Sequence, residues 1–297
     1  MKDDNRIKPR CRLDKSGTRA HRQPKAYQDT RFLESRDARA LRILAEYLEP
    51  LYRFQRHNVQ DTIVFMGSAR LRSEEAARAA LAEAERAGEG IEAAQMTLAL
   101  SIYYEAAREL AQRLTAWSKK LGREERRFVV CTGGGPGIME AANRGASAAK
   151  GLSVGLTISI PDEEFDNPYV SRELHFYFHY FFMRKFWFVY LAKAVVLFPG
   201  GFGTLDELFE ILTLVQTHKT RKRMPIVLFG SKYWDEVINF DALVKYGTIS
   251  PGDLDLSTAQ IRWTKPTTSS QKASPKTPSA CLGRCSSAAV PAGFWRT

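Results

Sequence analysis

Four cysteines, at positions 11, 131, 281 and 285, are too few and too scattered to frame a disulfide-stapled fold. Cys131 stands alone in an apolar run, and the CLGRC pair, Cys281 and Cys285, has no second Cys or His pair near it to complete a metal site. This usage points to a reducing compartment. No apolar run approaches the ~20 residues that span a bilayer, and the opening MKDDNRIKPRCRLDK has no apolar segment of the secretory kind. A cytoplasmic protein without a membrane partner is expected. Internal repeats are absent as well, which excludes solenoids and propellers.

Acidic residues are missing from one place in particular. Residues 257–297 carry 6 Lys/Arg and no Asp or Glu, where average composition would supply roughly five acids. That Ser/Thr/Pro-rich text has neither a helical nor a strand period and is expected to be disordered and foreign to the fold, as a frameshifted or truncated terminus would be. Residues 1–31 hold 10 Lys/Arg against 4 acids, so the formal charge of +11 sits at the two ends and the body, 32–256, is near −1. A near-neutral body excludes a broad basic nucleic-acid face, leaving only weak polyanion contacts by the tails. The chain is therefore divided into a disordered basic tail at 1–26, one folded domain at 27–256, and the terminal segment 257–297.

Within the body, apolar strands alternate with helical text. DARALRILAEYLEPLYRF reads as an amphipathic helix ending around Pro50. Thr62–Met66 reads as a buried strand closing on Gly67-Ser68, and Glu74–Leu121 as a long helical region. FVVCT, SVGLTISI, AKAVVLF and MPIVLFG are further strands, each followed by a turn or helix, and HFYFHYFFMRKFWFVYLA is aromatic-dense with helical or mixed character. The alternation predicts an α/β fold, a Rossmann-like doubly wound parallel sheet with helices on both faces.

Two glycine-rich turns join a strand to a helix, GGGPGIME around Gly134, Gly135 and Gly137, and FPGGFGTLDE around Gly200, Gly201 and Gly203. Neither has the GxGxxG or GK[ST] spacing of dinucleotide and P-loop sites. Both nevertheless place backbone N–H groups and the positive end of a helix where an anion fits. Thr204 and Glu207 also make the T-x-x-E spacing of a capping box, which would account for them without any substrate. If the ligand is a nucleotide, Glu207 has a second use. Cleaving an N-glycosidic bond builds positive charge on the ribose, and a carboxylate one helical turn from the phosphate stabilises that charge or positions water. Arg184 and Lys185 either snorkel from a buried aromatic helix or clamp an anionic substrate, and the sequence weighs these alternatives evenly.

Pro199-Gly200-Gly201-Phe202-Gly203-Thr204-Leu205-Asp206-Glu207 stands as PGGxGTxxE with Arg184-Lys185 upstream. With GGGPGIMEAANRGA and the GSAR of Gly67–Arg70, it resembles the Lonely Guy family of nucleotide phosphoribohydrolases, longer bacterial type, once labelled lysine decarboxylases. The likeness covers about residues 27–256. It implies hydrolysis of a nucleoside 5′-monophosphate, of AMP or cytokinin type, to free base and ribose 5-phosphate. It further implies Arg184 and Glu207 as the catalytic pair, with substrate held by Gly67, Ser68, Gly134, Gly135, Gly137, Met183, Lys185, Gly200, Gly201, Gly203 and Thr204. A homodimer or higher assembly is implied, with no metal or organic cofactor. The family's acidic loop residue has three competitors here, Glu163, Glu164 and Glu173. A non-catalytic nucleotide sensor of the same architecture is the alternative. The decarboxylase label finds no pyridoxal-phosphate lysine context, Lys193 in its apolar strand being the sole tempting candidate.

Overall fold

The computed structural model describes residues 24–122, 125–159, 166–220, 222, 224–256 and 260–261. Most of both basic tails, Cys11, Cys281, Cys285, Glu163 and Glu164 lie outside these residues. The chain groups into two compact units that divide between Ala45 and Glu46. In the first, a 3₁₀ turn (Ala26–Gln28) leads to the short helix α1 (Thr30–Leu33), whose N-cap Asp29 accepts from the Phe32 N–H. Arg42 there donates to the carbonyls of Leu33 and Ser35, both at 2.6 Å.

Helix α2 (Arg39–Arg56) runs through Pro50 rather than ending there. An interior proline costs a helix the bond to the carbonyl four residues earlier, which here belongs to Glu46. The indole N–H of Trp187 takes up that carbonyl at 2.9 Å, so the break is satisfied from another element. The Glu46 carboxylate meanwhile accepts from the backbone N–H groups of His179, at 2.7 Å, and Tyr180, at 3.2 Å.

The second unit is built on a seven-stranded, all-parallel sheet of β1 (Thr62–Met66), β2 (Val129–Thr132), β3 (Ser153–Ile158), β4 (His175–Phe178), β5 (Ala192–Leu197), β6 (Ile226–Phe229) and β7 (Gln260–Ile261). The spatial order is β4-β3-β2-β1-β5-β6-β7. The chain thus builds outward from β1 in one direction through β4, then returns to the other side of β1 with β5. In such sheets ligands bind where the order reverses, beyond the strand carboxyl ends, and here that place is between β1 and β5. Strands buried on both faces need apolar residues at every position, which is why TIVFM and VVCT are continuous rather than alternating.

Between the strands run α3 (Glu74–Ala87), α4 (Ile91–Lys120), α5 (Ile138–Ala148), α6 (Phe181–Tyr190), α7 (Phe202–Gln216), α8 (Ser231–Val237) and α9 (Phe240–Lys245). The long helical region expected at 74–121 is made of two helices, α3 and α4. Gly88 and Gly90, at φ +72° and +68°, adopt the left-handed geometry that ends one and begins the next. The aromatic-dense segment resolves into β4 and α6. One face of the sheet, Ile63, Phe65, Val130, Ala194, Val196, Phe198, Val227 and Phe229, packs on α4 and α5 in a single core. These helices meet at alanines and at Gly145, where an added Cβ would stand 2.0 Å from the Arg108 carbonyl. On the α6 side, Trp187 packs against Phe54 and Phe54 against Phe176, both pairs with tilted rings.

One further expectation is corrected. Lys193 sits within β5 but is exposed, so it is not a buried amine. Gln260–Ile261, the two described residues of the segment 257–297, pair with β6 as the edge strand β7. No helix among the described residues is long and apolar enough to cross a membrane.

Candidate active site

At the carboxyl ends of β1 and β5 lies a cavity of about 700 Å³. Three loops are tied together at its rim through Ser68. The Ser68 N–H donates to the Pro199 carbonyl at 2.9 Å, and its carbonyl accepts from the Ile138 N–H at 3.1 Å. One residue after β1 thereby holds both glycine-rich turns in register.

Gly67, Ser68, Arg184, Gly200, Gly201, Gly203, Thr204 and Glu207 all line this cavity, which brings together residues far apart in sequence. Gly134, Gly135 and Gly137 do not line it, although Gly133 does. Gly134 and Gly137 have φ of +73° and +69°, and a Cβ on them would stand 2.3 Å from the Thr157 hydroxyl and from the Ser68 carbonyl respectively. Their glycine character is required by the turn itself. Gly201 and Gly203 are the opposite case: nothing lies within 4 Å of where a Cβ would be, and neither has positive φ. The fold does not require glycine at either position, and both face the cavity.

Met183 is buried, 8% exposed, outside the lining. Lys185 turns from the cavity to Asp206 and Glu210, at 2.7 and 2.8 Å, and so fastens α6 to α7. Glu173 is exposed, its carbonyl accepting from Arg53, and is likewise outside the lining.

The capping-box expectation fails. Helix α7 begins at Phe202 and not after Thr204, because the Gly201 carbonyl already accepts from the N–H groups of Thr204 and Leu205, both at 3.0 Å. Thr204 and Glu207 are thus inside the helix, and no side chain caps it. Its first N–H groups open onto the cavity with the dipole's positive end behind them.

Glu207 is 5% exposed, and neither carboxylate oxygen has a hydrogen-bond partner among the described residues. Arg184 Nη2 approaches Oε1 to 3.9 Å, too far for a hydrogen bond and near enough for strong electrostatic coupling. Burial pushes the Glu207 carboxyl up to about 7, against the opposing pull of Arg184 and Lys185. Burial also lowers Arg184, with Glu207 and Asp206 holding it up. For Lys185, partial burial acts downward but its bonds to Asp206 and Glu210 prevail, and it is raised. A buried carboxyl without hydrogen-bond partners is costly to a fold, and such groups cluster at binding and catalytic sites.

Several contributors carried no readable signal. Tyr233, on α8, lines the cavity and donates its hydroxyl to the Gly200 carbonyl at 2.5 Å, a contact made only through the fold. Leu100, Met139 and Phe188 add apolar walls. Glu46 holds the start of α6, the helix that presents Arg184. Among the described residues no group of three or more His, Cys, Asp and Glu side chains is placed to hold a metal ion.

Comparison with known proteins adds three findings. The family model described as "Possible lysine decarboxylase" matches residues 139–264, which include Arg184 and the whole PGGxGTxxE motif. The pyrimidine/purine nucleotide 5′-monophosphate nucleosidase of Escherichia coli K12 is 32% identical over 116 residues, and those of strains O6:H1 and O157:H7 match equally. The match spans 36% of this chain and about a quarter of those relatives' length, 25%. Among solved structures, that of TM1055, a structural-genomics target, aligns at TM-score 0.36 and 23% identity over 57% of this chain and 73% of its own. A molybdenum cofactor binding protein from Rippkaea orientalis aligns at 0.34 and 22% over 52% and 83%. The PGGxGTxxE motif is thus intact, with Arg184 and Glu207 facing one cavity, and over residues 139–264 the chain is similar to the family whose model is described as "Possible lysine decarboxylase".

Proposed function

We propose that this cavity hydrolyses the N-glycosidic bond of nucleoside 5′-monophosphates, giving free base and ribose 5-phosphate. The observation that carries the reading is Glu207: a buried carboxyl without hydrogen-bond partners, 3.9 Å from Arg184, in a cavity that also receives the uncapped start of α7. Water supplies its hydroxyl to the anomeric carbon, the C–N bond breaks, and the bonding pair leaves with the base, which takes up a proton. Ionised Glu207 stabilises the cationic ribose or orients the attacking water. Arg184 favours that ionised form and steers the carboxylate. The named relatives, nucleotide 5′-monophosphate nucleosidases, support the same chemistry.

Incubation with AMP, GMP, CMP and isopentenyl-AMP, followed by chromatography of free base, tests the reading and reports base preference, cytokinin type included. Absence of base from all four overturns it. Self-association belongs to the same proposal. Phe181, Phe182, Phe186 and Tyr190 of α6 are 54, 51, 37 and 41% exposed, a face suited to a second copy. Light scattering that gives a monomer mass at micromolar concentration contradicts this part.

A further inference from the structure

We propose that Arg70 grips the substrate's 5′-phosphate and thereby sets a preference for nucleotides over nucleosides, an inference that rests on the function proposed above. Among the described lining residues there are two cations, Arg70 and Arg184, and one acid, Glu207. Arg184 is committed to the neighbourhood of Glu207. Arg70 belongs to the loop after β1, which the Ser68–Pro199 bond holds beside the chain entering α7. Its own N–H donates to the Ser68 hydroxyl at 3.1 Å, closing a turn that sets the start of the Arg70 side chain at the cavity rim.

Charge decides which end of the cavity takes a dianion. Placed against Glu207, a phosphate meets a carboxylate. At the start of α7 it meets uncapped N–H groups and a helix dipole, with Gly201 and Gly203 leaving open space for close approach. Glu207 lies five residues further along, about 7 Å of helix axis. That separates the phosphate from the carboxylate and leaves the sugar between them. Arg70 supplies at the rim what backbone N–H groups lack, a full charge and a planar fork that meets two phosphate oxygens at once. Arg70 is an exposed residue whose guanidinium makes no ion pair with any described residue, so it is available for a ligand.

The test compares kcat/KM for AMP and adenosine, and for CMP and cytidine, in the unsubstituted chain, Arg70→Ala and Arg70→Lys. Loss of one charge-assisted bidentate contact is expected to lower the nucleotide-to-nucleoside ratio about ten- to hundredfold in Arg70→Ala, with partial recovery in Arg70→Lys. A ratio that stays within about twofold overturns the assignment. If the unsubstituted protein releases base from none of these, the proposed activity fails instead. Arg70 is then judged by thermal shift with ribose 5-phosphate against ribose. A shift specific to ribose 5-phosphate and lost in Arg70→Ala upholds the phosphate grip; a shift retained in the variant, or absent from the unsubstituted protein, overturns it.

Discussion

Arg184 Nη2 and Glu207 Oε1 stand 3.9 Å apart, one from α6 and one from α7, with no hydrogen bond joining them. The gap leaves the carboxylate's lone pairs for something else. Replacing Glu207 by Gln separates its chemical from its structural role. Base release should fall by orders of magnitude, while the fold should tolerate the change, because Gln removes a charge buried without a bonded partner. Wild-type turnover in Glu207→Gln would make Glu207 a bystander.

Stability should also depend on pH through this residue. The Glu207 pKa is raised in the folded state to about 7 from an unfolded value of 4.5. The folded form therefore binds the proton more tightly, so stability declines as pH rises from about 4.5 to 7 and is level above that. The full effect is about 3 kcal/mol, an upper figure. Urea denaturation of wild type and Glu207→Gln at pH 5 and pH 8 should show the variant gaining relative stability at the higher pH. The same difference at both pH values would contradict the raised pKa.

Activity should follow the opposite limb. If ionised Glu207 does the work, kcat/KM rises with pH to a midpoint near the free enzyme's carboxyl pKa, about 7. Four charged groups bear on that midpoint: Arg184 and Lys185 lower it, Glu210 and Asp206 raise it. Lys185→Met removes one cation and leaves the two acids it had paired. The midpoint should move to higher pH, and a move to lower pH would refute this electrostatic role for Lys185.

The two classes of glycine should respond differently to alanine. At Gly200 a Cβ would fall 2.1 Å from the Thr204 hydroxyl and 3.0 Å from the Ser68 nitrogen, so Gly200→Ala should cost about 1–3 kcal/mol through forced backbone shifts. At Gly203, inside α7 with open space around it, Ala should stabilise by up to about 1 kcal/mol. Yet the same methyl stands at the cavity, and KM for AMP should rise. A more stable Gly203→Ala with unchanged KM would show that the glycine has no role in binding.

Tyr233→Phe removes the hydroxyl that holds the Gly200 carbonyl. A planar trans peptide points its N–H opposite its carbonyl, so this bond also aims the Gly201 N–H. The loss should be about 1 kcal/mol of stability, with KM for AMP rising more than kcat falls. An effect on stability alone would confine Tyr233 to packing.

Much of the fold is legible in the sequence. Apolar runs such as TIVFM and AKAVVLF give strands because a doubly covered sheet leaves no polar position except at its ends, where Lys193 is exposed. PGGxGTxxE gave the cavity wall. T-x-x-E misled because spacing alone does not say where a helix starts; the Gly201 carbonyl begins α7 early and turns Glu207 inward. Pro50 misled because a helix can pass through proline if another element satisfies the freed carbonyl. Tyr233 and Glu46 left no trace, since each acts through a contact across distant segments.

The indole of Trp187 on the Glu46 carbonyl has a consequence for how this chain tolerates change. Proline at 50 and tryptophan at 187 complete one another: the first leaves an acceptor open, the second closes it. Trp187→Phe with Pro50 in place strands a carbonyl, whereas combined with Pro50→Ala the helix closes its own bond and the same substitution is milder. The cost of either substitution depends on the other, and the two positions form an epistatic pair whose disturbance reaches the helix that carries Arg184.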